Sequence, residues 1–392
     1  MLQTLLLTLL GTITGTVTGL LPGIHPNTLL FLSLPLLLYL PIDIVLPLIS
    51  ATAITHSLLN HIPSILIGAP DSDTALSSLP GKQLLLEGKG ITAALTGLES
   101  GLLATLAAGL LLIPATYLLP TLYPALQPVL PYLVSTLFLI PALTEDSIMS
   151  GFSVIIAAGL LGTITLNLPS INPSMGLFPL FTGMFGIATI LPRTHQNIPE
   201  QQPGTTRTLP ASKGSIIGTI SGFIAGIVPG IGPSATISFF TPYISSREER
   251  IASIGGINTA DAIISLMAVY IIGKARSGAS IAVQKLTPID TGQFLIMIGT
   301  SFIAAGIAYP IGRSLLHNGA SLYNTLDKQR LSHSVIGFIL IAVILTTGIT
   351  GLGILLTATG IGLYCEHVQV RKSLCMACLI VPYLLHSFGL TL

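Results

Sequence analysis

Gly11 to Pro26 reads GTITGTVTGLLPGIHP, and Gly218 to Pro233 reads GTISGFIAGIVPGIGP, with nine of sixteen positions identical. The chain therefore carries an internal duplication, the kind of self-similarity that constrains a fold before any local reading does. In both copies glycine recurs every fourth residue, at Gly11, Gly15, Gly19 and Gly23 and at Gly218, Gly222, Gly226 and Gly230. That spacing places the glycines on one helix face, bare enough for a second helix to approach closely. Each face ends at Pro-Gly, Pro22-Gly23 or Pro229-Gly230, and a second proline follows, Pro26 or Pro233. Proline breaks a helix interior but suits a first turn, so the expected local structure is helix, break, helix, twice. His25 and Gly232 stand where an N-cap would, with Asn27 and Thr28 or Ser234 and Thr236 just inside the second helix. Free backbone N–H groups at such a start face whatever fills the break.

The sequence around the two copies is overwhelmingly apolar. Hydrophobic residues make up 51% of the 392, Asp, Glu, Lys and Arg only 7%, and the mean hydropathy is +0.86. A water-soluble domain carries roughly 25% charged residues, so a soluble globule is excluded. Barrel strands alternate apolar and polar residues, whereas Leu102 to Ile113 is apolar on every face except at Thr105. The expected fold class is all-α: a polytopic membrane protein of two inverted-topology repeats with broken or re-entrant helices and about 10 to 12 membrane segments. The expected division is membrane repeat 1 over residues 1–195, a cytoplasmic linker over 196–213 and membrane repeat 2 over 214–392, because Arg193 to Lys213 is the most polar stretch. Met1 to Leu10 has no basic n-region or cleavage site and reads as the first membrane helix. A net charge of +1 removes the electrostatic case for nucleic acid. Three cysteines, Cys365, Cys375 and Cys378, argue against a disulfide framework, and a single CxxC inside an apolar segment reads as core packing rather than a zinc site.

Lys and Arg set the orientation. No basic residue flanks the first broken segment, residues 1–41, whereas Arg207, Lys213, Arg247 and Arg250 flank the second, residues 214–245. By the positive-inside rule the first opens outside and the second inside. Five further spans per half, near 44–68, 91–113, 115–140, 150–168 and 173–193 in the first, then leave twelve of the fifteen basic residues cytoplasmic. The exceptions are Lys274, Arg276 and Lys285. The pair Lys274 and Arg276 either lines an anion path or belongs to an exposed loop, and the matching stretch of the first half carries Asp71 and Asp73 instead.

Ionisable residues inside apolar runs are functional candidates. His56, Asn60 and His61 lie in one such run and Asp261 in another; aligning Gly68 with Gly273 sets His56 opposite Asp261. A histidine can shuttle a proton and an aspartate can take Na⁺ or a proton, while a packing contact explains either equally well. Glu99 is a further carboxylate at apparent membrane depth. His56 and His61 are five apart with no Glu between them, unlike a zinc-protease pair, and no G-x-S-x-G motif occurs. The expectation is therefore no enzyme, no metal site and no cofactor beyond Na⁺ or H⁺ as a coupling ion.

With these residues in place the sequence resembles the large membrane subunit of tripartite tricarboxylate transporters, archaeal relatives included. The resemblance rests on the paired Pro-Gly-x-x-Pro segments at Pro22 and Pro229, on ILIGAPDSDTALSSLPGKQLLLEGKGITAAL (Ile65 to Leu95) and on GLFPLFTGMFGIATIL (Gly176 to Leu191). The turn that the family writes Pro-Gly-Glu is Pro70-Asp71-Ser72-Asp73 here, and the second copy, Gly273 to Gly278, lacks the proline. The resemblance implies secondary uptake of a small organic anion, a di- or tricarboxylate, across the plasma membrane and driven by an ion gradient. It also implies a small membrane subunit and an extracytoplasmic binding protein as partners; the sequence leaves a homodimer open. The alternative anion is a polyprenyl-phosphate lipid carrier. The expected substrate site comprises Pro22, Gly23, His25, Pro26, Asn27 and Thr28, their counterparts Pro229, Gly230, Gly232, Pro233, Ser234 and Thr236, and Ser72, Lys274, Arg276 and Ser277. Asp71, Asp73, His56 and Asp261 are the coupling-ion candidates.

Overall fold

In hydrocarbon a backbone amide has no water to bond, so a chain this apolar satisfies its amides within helices. The computed structural model describes the whole chain except residues 22–38, 69–73, 75, 77, 193–198, 203, 205–211, 229–231, 276, 287–288, 326 and 391–392. In the first half the described helices are α1 (Leu2–Leu20), α2 (Ile42–Leu59), α3 (His61–Leu66), α4 (Ser78–Leu86), α5 (Gly90–Leu126), α6 (Leu130–Leu143), α7 (Ile148–Asn167) and α8 (Pro173–Phe181). The last runs on through a π-helical turn (Thr182–Ile187) to Ile190. The second half supplies α9 (Ser212–Ile227), α10 (Pro233–Phe240), α11 (Arg247–Ile272), α12 (Gly278–Leu286), α13 (Thr291–Thr325), α14 (Lys328–His367) and α15 (Ala377–Ser387). Seven of the described helices are long and apolar enough to cross a membrane, and four shorter apolar ones accompany them. The chain is a polytopic helical membrane protein.

The glycine faces dock as their spacing requires. Cβ atoms built on Gly11 and Gly15 would lie 2.6 Å from the carbonyl oxygens of Leu48 and Thr52, and one on Gly19 3.1 Å from that of His56. Residue numbers rise together, so α1 lies parallel to α2. On the second copy Gly218 abuts the Ser253 carbonyl, Gly222 would meet that of Ile257 at 2.7 Å, and Gly226 the Ile264 Cβ at 2.7 Å, so α9 lies parallel to α11. The two contact sets correspond residue for residue: Gly15 faces Thr52, Thr55 and His56, and Gly222 faces Ile257, Ala260 and Asp261.

Helix α5 fixes the relative direction of the two pairs. Its Gly97 packs on His61 and its Gly101 on Leu58, so it runs antiparallel to α2. Gly97 also meets Gly255, Gly101 meets Thr259, and the Ser100 hydroxyl donates to the Ala252 carbonyl (2.5 Å), so α5 runs parallel to α11. It follows that α2 and α11, and with them the two glycine-faced pairs, run in opposite directions. Helix α13 closes this bundle: Gly312 sits on Leu59 and Leu98, while Phe302 reaches Gly109. A second core is built by the same exchange. Gly159 and Gly162 of α7 receive Val381 and Cys378 of the last helix, α15, whereas a Cβ built on Gly183, in the π-helical turn after α8, would lie 2.5 Å from the Leu355 carbonyl oxygen of α14, and Gly362 receives Met184 and Ala188. Each half thus packs its last helix on the other half. Cys365, Cys375 and Cys378 are free, buried thiols within this core.

One expectation needs correction. The boundary between spans 91–113 and 115–140 does not exist: α5 continues through Pro114, Pro120 and Pro124 to Leu126, and the chain turns only before α6. Each proline removes one N–H, and a long helix tolerates this where hydroxyls re-bond nearby carbonyls, as Thr116 does to Ile113 (2.8 Å). Conversely, one apolar run is interrupted. α14 bends at Gly348, whose φ of 64° and ψ of −157° suit glycine alone.

Part of the stretch expected as linker is firmly held. The buried Gln201 side chain accepts from the Gly90 N–H (2.8 Å) and donates to the Leu85 carbonyl (3.0 Å), and Asn324 of α13 pairs with the Gln201 backbone in both directions (2.8 and 3.1 Å). At the same end Arg247 Nη1 lies 2.6 Å from Glu87, and Lys89 donates to the same carboxylate (3.1 Å). These two cations hold the Glu87 carboxyl below its usual range, the Lys89 hydrogen bond contributing most. Gln201→Ala strips partners from two buried backbone groups, an expected loss of about 1–3 kcal/mol per orphaned group. A lowered unfolding midpoint in detergent checks it; an unchanged midpoint refutes it.

Candidate functional site

The second broken segment is a re-entrant hairpin. Its mouth is marked by Lys213 and Glu249, 3.9 Å apart on α9 and α11. From there α9 runs through 16 residues, about 24 Å at 1.5 Å per residue, to its end at Ile227. After the break Gly232 caps α10 in extended conformation (φ −81°, ψ 176°) and Pro233 is the first helical residue, as the sequence requires. Ser234 and Thr236 are buried in that first turn, where Thr236 bonds the Gly232 carbonyl through both N–H (3.0 Å) and hydroxyl (3.1 Å). Among the described residues, a Cβ on Gly232 would meet nothing within 4 Å. Pro22, Gly23, His25, Pro26, Asn27, Thr28, Asp71, Ser72, Asp73, Pro229, Gly230 and Arg276 lie outside the described residues.

Ser277 comes to the same level as this break. Gly226, the last glycine of the α9 face, abuts Ser265, and the Ser265 hydroxyl donates to Ser277 Oγ (3.2 Å). Ser277 in turn caps α12 by accepting from the Ser280 N–H (3.2 Å). Lys274 is exposed, just beyond the left-handed Gly273 (φ 64°) that ends α11.

His56 and Asp261 occupy equivalent places. Each stands where its helix meets the second glycine of the face packed on it: the His56 amide lies beside Gly15 and the Asp261 amide beside Gly222. The His56 ring is buried and Nδ1 lies 3.2 Å from the Thr18 hydroxyl, whereas Asp261 is half-buried. The halves touch between these two residues: Asn258 Nδ2 donates to the Ser57 carbonyl (2.9 Å) and to Asn60 Oδ1 (2.8 Å). Because α2 and α11 are antiparallel, His56, before Ser57 and Asn60, and Asp261, after Asn258, are displaced from that contact in the same direction. Both therefore stand at nearly one depth. Residues exchanged by an inverted repeat share a depth only at its centre, so this level is the middle of the bundle.

The Asn258–Asn60 bridge is a contact that sequence reasoning did not single out, although an asparagine three residues before Asp261 in an apolar helix was a signal. His61 packs on Gly97, and Glu99 lies half-buried on α5 within electrostatic reach of Arg313 on α13.

Comparison with known proteins agrees with this architecture. Residues 5–377 match the family model described as the tripartite tricarboxylate transporter TctA family. The chain is also 31% identical over 377 residues to an uncharacterized protein of Methanocaldococcus jannaschii, an alignment covering 92% of this chain and 93% of that one. No solved structure matches. A membrane chain matched over nearly its whole length, with two oppositely directed glycine-faced helix pairs, belongs to the tripartite tricarboxylate transporter TctA family.

Proposed function

We propose that this protein is the permease of a secondary transport system for di- or tricarboxylates, working by alternating access and driven by Na⁺ or H⁺. The observation that carries the reading is the level shared by His56 and Asp261 between two oppositely directed glycine-faced helix pairs. Broken helices at matched positions of two inverted repeats supply helix ends to an anion and carbonyls or carboxylates to a cation at mid-depth. On this reading the substrate carboxylates bind the free N–H groups and hydroxyls at the two breaks. Ser234 and Thr236 stand on the second side, Asn27 and Thr28 on the first, and Ser72, Lys274, Arg276 and Ser277 border the site. Asp261 and His56, with Asp71 and Asp73, serve the coupling cation. Membership in a tripartite family further supports a small membrane subunit and an extracytoplasmic binding protein as partners.

The test is uptake of radiolabelled citrate and smaller di- and tricarboxylates into proteoliposomes under imposed Na⁺ or H⁺ gradients. It is run with the purified chain alone and then with a co-expressed small subunit and binding protein. Gradient-dependent accumulation in either arm supports the reading and names the ion. No accumulation in both, from protein shown to be folded, overturns it and turns attention to polyprenyl phosphate.

A further inference from the structure

The basic residues at the Glu87–Gln201–Arg247 end of the bundle, cytoplasmic by the distribution of Lys and Arg, are nearly all neutralised in place. Lys89 and Arg247 share Glu87, Lys213 reaches Glu249, Arg371 lies on Glu145 and Lys372 on Glu366. Arg250 differs. Among the described residues it has no carboxylate partner, and its Nε is buried without a hydrogen-bond acceptor. The charge that acts on it is the guanidinium of Arg371, of the same sign, and that group is already spent on Glu145 and on the Thr144 hydroxyl (2.8 Å). A half-buried guanidinium whose Nε has no acceptor, within electrostatic reach of a second cation, is an unfilled place for an anion, because an oxyanion supplies both the missing acceptor and the missing charge.

Its position ties it to the candidate transport route. Arg250, Ile254, Ile257 and Asp261 fall at i, i+4, i+7 and i+11 of α11 and so line one face. Ile254 and Ile257 pack against Ile237 and Ile244, the first within α10 and the second just after it, so the short arm of the re-entrant hairpin lies along the stripe between Arg250 and Asp261. Eleven residues separate the two, about 16 Å along the helix.

We infer that Arg250 is an anion-docking residue at the cytoplasmic mouth, taking one carboxylate of a dissolved di- or tricarboxylate as it enters or leaves the central site. The inference rests on the proposed function for the substrate class, while the site itself is read independently of transport. Purified full-length protein in neutral detergent is treated with phenylglyoxal, and modification of each arginine is followed by peptide mass spectrometry. Citrate is expected to slow modification of Arg250 severalfold and to leave Arg247, already paired with Glu87, unchanged. In proteoliposomes Arg250→Gln is expected to raise the citrate KM at the cytoplasmic face severalfold, with kcat and the KM at the other face retained, and Arg250→Lys to restore part of it. Labelling of Arg250 that ignores citrate, or that is blocked only in phosphatidylglycerol nanodiscs, overturns the assignment. Protection without uptake leaves the docking site standing and removes the transport reading; uptake without protection does the reverse.

Discussion

Asp261→Asn is expected to bring gradient-driven citrate uptake to background in a protein that still folds and inserts. The substitution keeps the size of a half-buried side chain whose backbone is fixed against Gly222, so the α9–α11 contact survives. What is lost is the negative charge. An asparagine neither releases a proton at any working pH nor balances the charge of Na⁺ at mid-depth, where an unpaired ion is costly. Net uptake under an imposed gradient, measured beside the unfolding midpoint, separates coupling from stability. Wild-type accumulation by the variant would remove Asp261 from the coupling site and leave His56, its counterpart on α2, as the residue to change next.

The second large effect concerns the docking itself. Gly222→Leu places a Cβ 2.5 Å from that of Ala260, 2.7 Å from the Ile257 carbonyl oxygen and 3.0 Å from the Asp261 amide. Two of these are backbone atoms of a helix that is itself wedged against α5, so they cannot yield. Overpacking costs about 1–3 kcal/mol where neighbours can adjust, and this site falls at or beyond the upper end. A clearly lowered unfolding midpoint and loss of a monodisperse peak in detergent are expected. Gly232→Ala is the matched control: its φ is ordinary and a Cβ there meets none of the described residues within 4 Å, so stability should be unchanged. Equal stability of both variants would show that α9 does not lie on α11 as described.

Much of this architecture was legible before any coordinate. The duplicated Gly11–Pro26 and Gly218–Pro233 segments gave the two glycine faces, the Pro233 helix start and the opposed orientation of the halves, because four-residue spacing, proline chemistry and basic flanks are all local signals. The alignment of His56 with Asp261 also followed from sequence. The continuous α5 did not, since three prolines in one apolar run read as a boundary when no neighbouring group is in view. Nor did the hold of Gln201 on Gly90 and Leu85, which makes part of an apparent linker a fixed strap.

Sequence by itself determined that the chain is a helical membrane protein with a duplicated glycine-faced helix, because composition and periodicity act residue by residue along the chain. Only the tertiary structure decided that each half packs its last helix on the other, that Asn258 meets Asn60, and that Arg250 alone among its described basic neighbours lacks a carboxylate. Those facts join residues up to some two hundred positions apart, and which charge meets which is settled by how distant helices come together, which the local pattern around each charge does not encode.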